Sequence, residues 1–186
     1  MRITKEPEER KQEILDTALR LFQEKGYEKT SISDIAKAIG VAQGLCYRYF
    51  PSKEALFDSV VDQYAGILVE ALATPAKKKN MSLKQILEEM PVTVETEDNN
   101  YYQLFHGVEN PKFHDQLSLK VCEKLVPIVT KLFEAAQANG EIHLDDIETA
   151  AYFCVYGQLG ILLSPNTNSE EKNKRIRAFL IYILGL

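Results

Sequence analysis

The sequence contains no tryptophan and has only three cysteines among its 186 residues. Because Cys46, Cys122 and Cys154 lie far apart with no CxxC pair, a disulfide framework and a zinc knuckle are both disfavoured, and a reducing compartment is indicated. No apolar run approaches the roughly 18 residues of a membrane span. The first residues also lack the apolar core of a signal peptide. We therefore expect a cytoplasmic protein with no metal and no cofactor.

Charge is distributed unevenly along the chain. Hydrophobic residues make up 45% of the sequence, enough for one or two domains with a buried core. The net charge is −5, yet residues 1–53 contain 10 Lys and Arg against 8 Asp and Glu, whereas residues 54–186 contain 12 against 19. A balance of +2 in the first part and −7 in the second predicts that the two parts have different partners.

Apolar residues recur at helical spacing nearly throughout the chain and predict an all-α fold. The first helix is expected over residues 8–25 and ends at Gly26. Ser31 and Asp34 have the spacing of a capping box at the start of a second, short helix. Further helices are predicted over residues 43–49, 53–72, 82–98, 114–139 and 169–184.

The second and third helices have the spacing of a helix-turn-helix. Gly40 supplies the turn, and small or apolar residues occupy the inner faces. On the third helix, Cys46 and Tyr49 are expected to point inward. The outward side carries Gln43, Gly44, Tyr47 and Arg48. An amide, a phenol and a guanidinium on one face suit the major groove of DNA, while the alternative is an ordinary solvated helix face.

The segment "LDTALRLFQEKGYEKTSISDIAKAIGVAQGLCYRYFPSKEALF" resembles the N-terminal signature of the TetR/AcrR family of one-component transcriptional regulators. The resemblance implies a helix-turn-helix DNA-binding domain over residues 1–53. It further implies a helical-bundle domain for effector binding and dimerisation over residues 54–186, with the fourth helix as connector. Two positions depart from the family pattern. Cys46 replaces a larger aliphatic residue and is expected to fill the core rather than to act as a redox switch, and Ala42 replaces a capping Ser or Thr.

Roles on DNA follow from the resemblance and from side-chain chemistry. The residues matching phosphate-binding positions are Thr30, Ser31, Tyr47 and Lys53. Gln43 matches a base-reading position and can pair with adenine, and Leu45 can contact a thymine methyl group. Gly44 admits the DNA closely. Arg48 is expected at a guanine or a phosphate, and Ser33 at a base edge or in solvent.

A small-molecule effector site is expected in the second domain. Pro127 is predicted to bend the long helix and so to leave space for a ligand. Apolar pockets with a few polar groups are typical of such sites. The candidate lining residues are Tyr101, Tyr102, Phe105, His106, Phe113 and Tyr156. The alternative for each of them is an ordinary core position.

The last two helices are expected to form a homodimer interface. Asp145 is predicted to cap the penultimate helix with Glu148 as its partner. Small residues along that helix allow close approach, and an apolar stripe continues to the end of the chain. The candidate interface residues are Ala150, Cys154, Gly157, Gly160, Ile176, Phe179 and Ile183. Burial of these residues within their own domain is the alternative.

No catalytic constellation is present in the sequence. It has only three histidines, no Gly-rich phosphate loop and no nucleophile motif. The spacing of His106, Glu109 and His114 would not place three metal ligands on one helix face. The expected function is therefore a non-enzymatic, sequence-specific DNA-binding regulator, a repressor that an effector releases from a palindromic operator. The alternative is a helical adaptor of the same fold that acts through a protein partner.

Overall fold

The structure is a computed structural model that describes residues 5–78, 80–90, 111–164 and 168–186. All regular secondary structure in these ranges is helical, as the apolar spacing predicted. The helices are α1 (Pro7–Lys25), α2 (Ile32–Ala38), α3 (Gln43–Tyr49), α4 (Lys53–Leu72), α5 (Leu83–Glu89), α6 (Pro111–Ala138), α7 (Ile147–Tyr156), α8 (Leu159–Leu162) and α9 (Ser169–Leu184), with a 3₁₀ turn at Pro75–Lys77. Within the described ranges, no helix is long and apolar enough to span a bilayer.

The described residues divide into two compact units. The first unit comprises residues 5–64 and 111–117, and the second comprises residues 65–90 and 118–186. The division falls inside α4 and inside α6, so each of these helices contributes residues to both units. This division differs from the domain boundary expected at residue 53.

The first unit is built around α1 and α4. Pro7 lies in the first turn of α1, where its missing N–H costs no hydrogen bond, and Gly26 ends the helix at a φ of +83°. The apolar face of α1 is fully buried, and Phe22 is 0% exposed. Its ring packs edge-on against Phe57 of α4, with centroids 5.6 Å apart. This aromatic contact joins the two longer helices of the unit within one core.

The second unit has its own apolar core. Leu83 of α5, Phe133 of α6, Ala151 of α7 and Ile176 of α9 all belong to one buried cluster. A smaller cluster joins Cys122 and Val126 of α6 to Val155 of α7. The inner faces of α7 and α9 are therefore both covered by their own unit.

The helix bounds differ from the sequence expectations in several places. The segment predicted as a helix over 82–98 is helical only from Leu83 to Glu89, and its remainder from residue 91 lies outside the described residues. Helix α6 begins at Pro111 and includes Pro127 without interruption of the helical assignment. The expected cap at Asp145 is wrong by one residue. Asp146 caps α7, because its carboxylate accepts from the Thr149 N–H at 2.9 Å and from the Thr149 hydroxyl at 2.6 Å.

Candidate nucleic-acid interface

The turn between α2 and α3 has the predicted geometry. Gly40 has a φ of +70°, in the left-handed region that other residues rarely adopt. Directly after it, the Val41 N–H donates to the Ala36 carbonyl at 2.9 Å. Ile35 and Cys46 are each 0% exposed, so the two helices meet through buried side chains. The turn thus fixes the rotation of α3 about its axis, and with it which residues of α3 point outward.

The exposed side of α3 carries the residues that its spacing predicted. Gln43, Gly44, Tyr47 and Arg48 are all exposed, and the Tyr47 side chain retains 46% of its accessible surface. Leu45 is half-buried, as is Ser33 on α2. The side chain of Arg48 makes no ion pair within the described part of the chain. Donors and acceptors on this face are therefore available to an external partner.

A surface concavity lies beside α3 in the same unit. Its walls come from the loop before α2, the tip of α3 and the start of α4. The lining residues are Glu28, Lys29, Thr30, Ser31, Ile32, Tyr47, Pro51, Ser52, Lys53 and Glu54. Four of the predicted phosphate-binding residues thus come together here.

The prediction for the Thr30 side chain is wrong. Thr30 is 2% exposed, and its hydroxyl donates inward, with Oγ1 2.8 Å from the Gly26 carbonyl oxygen and 3.1 Å from that of Leu21. Leu21 lies in the last two turns of α1, and Gly26 directly follows the last residue of the helix. The Thr30 hydroxyl therefore ties the loop to α1 and has no donor left for a phosphate.

The Ser31 hydroxyl is also engaged, although it is exposed. It accepts from the Asp34 N–H at 3.1 Å and donates to the Asp34 carboxylate at 2.6 Å. The carboxylate in turn accepts from the Ser31 N–H at 3.0 Å, which completes the predicted capping box. These hydrogen bonds hold the pKa of Asp34 below its ordinary value. In this conformation the single proton of the hydroxyl is donated to a carboxylate, and a phosphate contact by Ser31 stays a prediction.

Lys53 points into the protein at the edge of the concavity. Its Nζ lies 3.0 Å from the Tyr27 carbonyl oxygen, 3.4 Å from that of Glu28 and 4.1 Å from the centre of the Tyr27 ring. These contacts fix the loop between α1 and α2. Lys29, which is not among the predicted contact residues, lines the same concavity with an exposed side chain. Its signal in the sequence was a lysine directly before the Thr-Ser pair.

Most of the expected effector site lies outside the described residues. This holds for Tyr101, Tyr102, Phe105 and His106, and for the side chain of Phe113. Tyr156 is described. It is half-buried, packs against the cluster of Cys122, Val126 and Val155, and stacks on Tyr152 with ring centroids 6.0 Å apart.

The expected interface residues separate into two groups. Cys154 and Ile176 are buried in the core of the second unit, 6% and 2% exposed, so their assignment to a dimer surface is wrong. Ala150 packs partly against the same core. Gly157, Gly160, Phe179 and Ile183 are exposed.

Three further exposed aromatic residues on the same two helices are not among the predicted interface residues. They are Tyr152, Phe153 and Tyr182, of which Phe153 is 75% and Tyr182 82% exposed. Together with Phe179 and Ile183 they form what we call the outer apolar face of α7 and α9. Aromatic residues on the solvent side of an otherwise amphipathic helix were the signal that could have identified them.

A capped α2, a glycine turn and an α3 with a polar exposed side define a helix-turn-helix protein. The family described as "Bacterial regulatory proteins, tetR family" matches residues 14–60. This match covers about a quarter of the chain, and over these residues the chain is similar to that family.

Relatives and solved structures extend this result. The chain is 48% identical over 56 residues to the uncharacterized HTH-type transcriptional regulator YuxN of Bacillus subtilis (strain 168). These aligned residues make up 30% of this chain and 19% of YuxN. It is 32% identical over 87 residues to the nucleoid occlusion factor SlmA of Haemophilus ducreyi. These aligned residues make up 45% of this chain and 43% of SlmA. The structure of Salmonella enterica GusR is similar with a TM-score of 0.66 and 28% identity, over 98% of each chain. The chain thus matches less than half the length of YuxN and of SlmA.

Proposed function

We propose that the chain is a sequence-specific DNA-binding transcriptional regulator, a repressor that a small-molecule effector releases from its operator. The observation that carries this proposal is the exposed polar side of α3, held outward by the buried Cys46 beneath it. The family match over residues 14–60 supports the same function.

Two kinds of DNA contact are assigned to α3. The Gln43 amide, in the first turn of the helix, can form paired hydrogen bonds with the N6 and N7 atoms of adenine. The Arg48 guanidinium reads a guanine or neutralises a phosphate, and the Tyr47 hydroxyl donates to a phosphate oxygen at the edge of the concavity. Base contacts set which sequence is bound, whereas phosphate contacts set the affinity for any sequence.

A homodimer is the proposed form of the regulator. The inner faces of α7 and α9 share one buried cluster, and the outer apolar face is exposed among the residues that the structure describes. A second copy would cover it by a two-fold interface, in which the same residues face each other. Two copies of α3 would then contact successive major grooves, about 34–36 Å apart on a palindromic operator.

Effector release requires coupling between the effector site and α3. Helices α4 and α6 each contribute residues to both compact units, so a ligand that shifts either helix acts on the first unit as well. On α4 of that unit, the Asp58 carboxylate accepts a hydrogen bond from the Gln116 amide of α6. A coupling free energy of about 1–3 kcal/mol would give graded release.

Selection of bound sequences from random double-stranded DNA tests the proposed function. We expect the wild-type chain to enrich a palindrome, and the Lys84→Ala variant, which loses an exposed lysine of α5, to enrich the same palindrome. A folded dimer that enriches no sequence would contradict the proposal. That result would favour an adaptor that acts through a protein partner.

A further inference from the structure

The Lys53 ammonium directs its hydrogen bonds into the protein. An ammonium has three N–H donors, and the Lys53 nitrogen lies 3.0 and 3.4 Å from two carbonyl oxygens and 4.1 Å from the centre of the Tyr27 ring. The side chain is half-buried. To bind a phosphate at full strength, Lys53 would have to release the Tyr27 and Glu28 carbonyls, which costs the hydrogen bonds that hold the loop.

The loop that Lys53 holds is fixed from both ends. Before Lys29, the Gly26 N–H donates to the Phe22 carbonyl at 2.9 Å, and the Tyr27 ring packs against Phe57 with centroids 4.8 Å apart. After Lys29, the Thr30 N–H donates to the Tyr27 carbonyl at 3.2 Å, and its hydroxyl is buried against α1. Residue 29 is therefore held by a rigid backbone, although its side chain is exposed.

Lys29 has the unengaged N–H donors that Lys53 lacks for an external partner. Its side chain is exposed on the wall of the concavity that Tyr47 also lines, and it makes no ion pair or hydrogen bond in the part of the chain that the structure describes. A lysine ammonium on a flexible stem is an effective point charge for a phosphate.

We propose that Lys29 is the cation that neutralises a DNA phosphate at this concavity, and that Lys53 is a positioning residue that holds the loop carrying Lys29. This inference rests on the proposed DNA-binding function. It assigns the positive charge that neutralises the phosphate to a residue outside the helix-turn-helix. The position of that residue is set by the loop between α1 and α2.

Two carboxylates share the concavity and oppose a phosphate there. Glu54 is bound to its own backbone N–H and to the Ser52 hydroxyl, which lowers the pKa of its carboxyl. Glu28 is exposed next to Lys29. Replacing Glu28 by Gln removes a like charge beside the phosphate, so the assignment predicts tighter binding to every DNA sequence.

The test is the salt dependence of DNA affinity, measured for operator and random DNA. Each neutralised phosphate contributes about 0.9 to the slope of log K against log salt. For each bound protomer, we expect Lys29→Met to lower the slope by about 0.9 and to weaken binding to both DNAs about eightfold at 0.1 M salt. The matched control Lys84→Met, which removes the same charge from α5, should change neither quantity.

Lys53 is tested in the same titrations. We expect Lys53→Met to lower the melting temperature and the affinity while the slope stays near the wild-type value, and Lys53→Arg to restore the affinity. Glu28→Gln should tighten binding to both DNAs.

Two results would overturn the inference. One is an unchanged slope in Lys29→Met, and the other is a slope lowered by Lys53→Met with no loss of thermal stability. If the wild-type chain bound no DNA at all, the proposed function itself would fail, which separates the two hypotheses.

Discussion

Two exposed surfaces of this chain differ in chemistry. The outward side of α3 presents an amide, a phenol and a guanidinium, whereas the outer apolar face of α7 and α9 presents four aromatic rings and an isoleucine. Both surfaces lie opposite a buried helix face, so neither is needed to fold its own unit. A polar surface of this kind suits a partner with hydrogen-bonding groups and charge, while an apolar one suits a partner that buries it from water.

The largest effect is expected from a charge placed in the outer apolar face. Phe179 is 59% exposed in the single chain, so Phe179→Glu removes little from the core of its own unit. In the proposed dimer, the carboxylate would be buried without a partner, a change that strongly destabilises an interface. We expect sedimentation to show monomers and operator affinity to fall with the loss of one half-site.

Lys174→Glu is the matched control for this change. Lys174 is an exposed residue of α9 that lies on another side of the helix from Phe179, and its replacement introduces the same carboxylate. This variant should stay dimeric. If Phe179→Glu also remained a dimer, the outer apolar face would not be the interface. Gly157 is a poor probe, because a Cβ there would lie 2.6 Å from the Phe153 carbonyl oxygen of its own chain.

A smaller loss of operator affinity is expected from a substitution on the polar side of α3. Gln43→Ala removes the amide assigned to one adenine, and a good paired contact contributes about 1–3 kcal/mol of discrimination. Binding to the selected operator should weaken by that amount, and preference should relax at a single position of each half-site. Because no charge changes, the salt slope should stay at its wild-type value.

Selection from random DNA checks the Gln43 prediction. The variant should enrich the wild-type palindrome with one degenerate position. Loss of preference at every position would mean that Gln43 orients α3 as a whole, and full retention would mean that it faces solvent on the DNA.

The helix-turn-helix was predictable from sequence because its determinants are local. Ser31, Asp34 and Gly40 fix α2 and its turn through neighbours within a few residues. The long-range partners were not predictable. Apolar spacing places both Ile176 and Phe179 on one broad stripe of α9, yet only packing against α5 and α6 decides that Ile176 is buried and Phe179 exposed.

The hydrogen-bond partners of single polar groups were also not predictable from the sequence. Asp145 and Asp146 can each cap a helix, and the hydrogen bonds to Thr149 select Asp146. The inward turn of the Thr30 hydroxyl depends on carbonyl oxygens at and just after the end of α1, one of them nine residues earlier, at Leu21. Motif spacing indicates which residue types occur at a site, but it does not show which of them are used for internal hydrogen bonds.

Removal of the N-terminal cap of α2 is expected to have a moderate effect on the stability of the fold. Ser31→Ala removes the acceptor for the Asp34 N–H and should lower the free energy of unfolding by about 1 kcal/mol. The pKa of Asp34 is lowered in the folded state by its hydrogen bonds to Ser31. Its contribution to stability is therefore complete above the ordinary carboxyl pKa and is lost as pH falls through the lowered value.

Denaturant titrations of wild type and Asp34→Asn across the acidic range check this sign. The difference in stability between them should shrink as pH falls, since protonation removes the same charge that Asn removes. A difference that grew toward low pH would show that the carboxylate does not stabilise the cap.

The smallest change in operator affinity is expected from chemical modification of the cysteine beneath α3. Cys46 is 0% exposed, and burial raises the pKa of its thiol, so little reactive thiolate forms at neutral pH. Mild oxidant or iodoacetamide should therefore leave the operator affinity of the folded protein unchanged. Cys122 and Cys154 should be equally protected, since burial raises the pKa of each thiol to about 11.

Cys46→Val separates packing from redox chemistry at this position. Valine is close to cysteine in size and apolar, so we expect the core to accept it at a cost below about 1.5 kcal/mol. The polar side of α3 would then keep its orientation and its affinity for DNA. If oxidant weakened DNA binding by the wild type and not by Cys46→Val, the thiol would be a redox-sensitive group that controls DNA binding and not only a packing residue of the core. Unchanged binding in both proteins would leave Cys46 a packing residue, and the response of the regulator would have to come from the second unit.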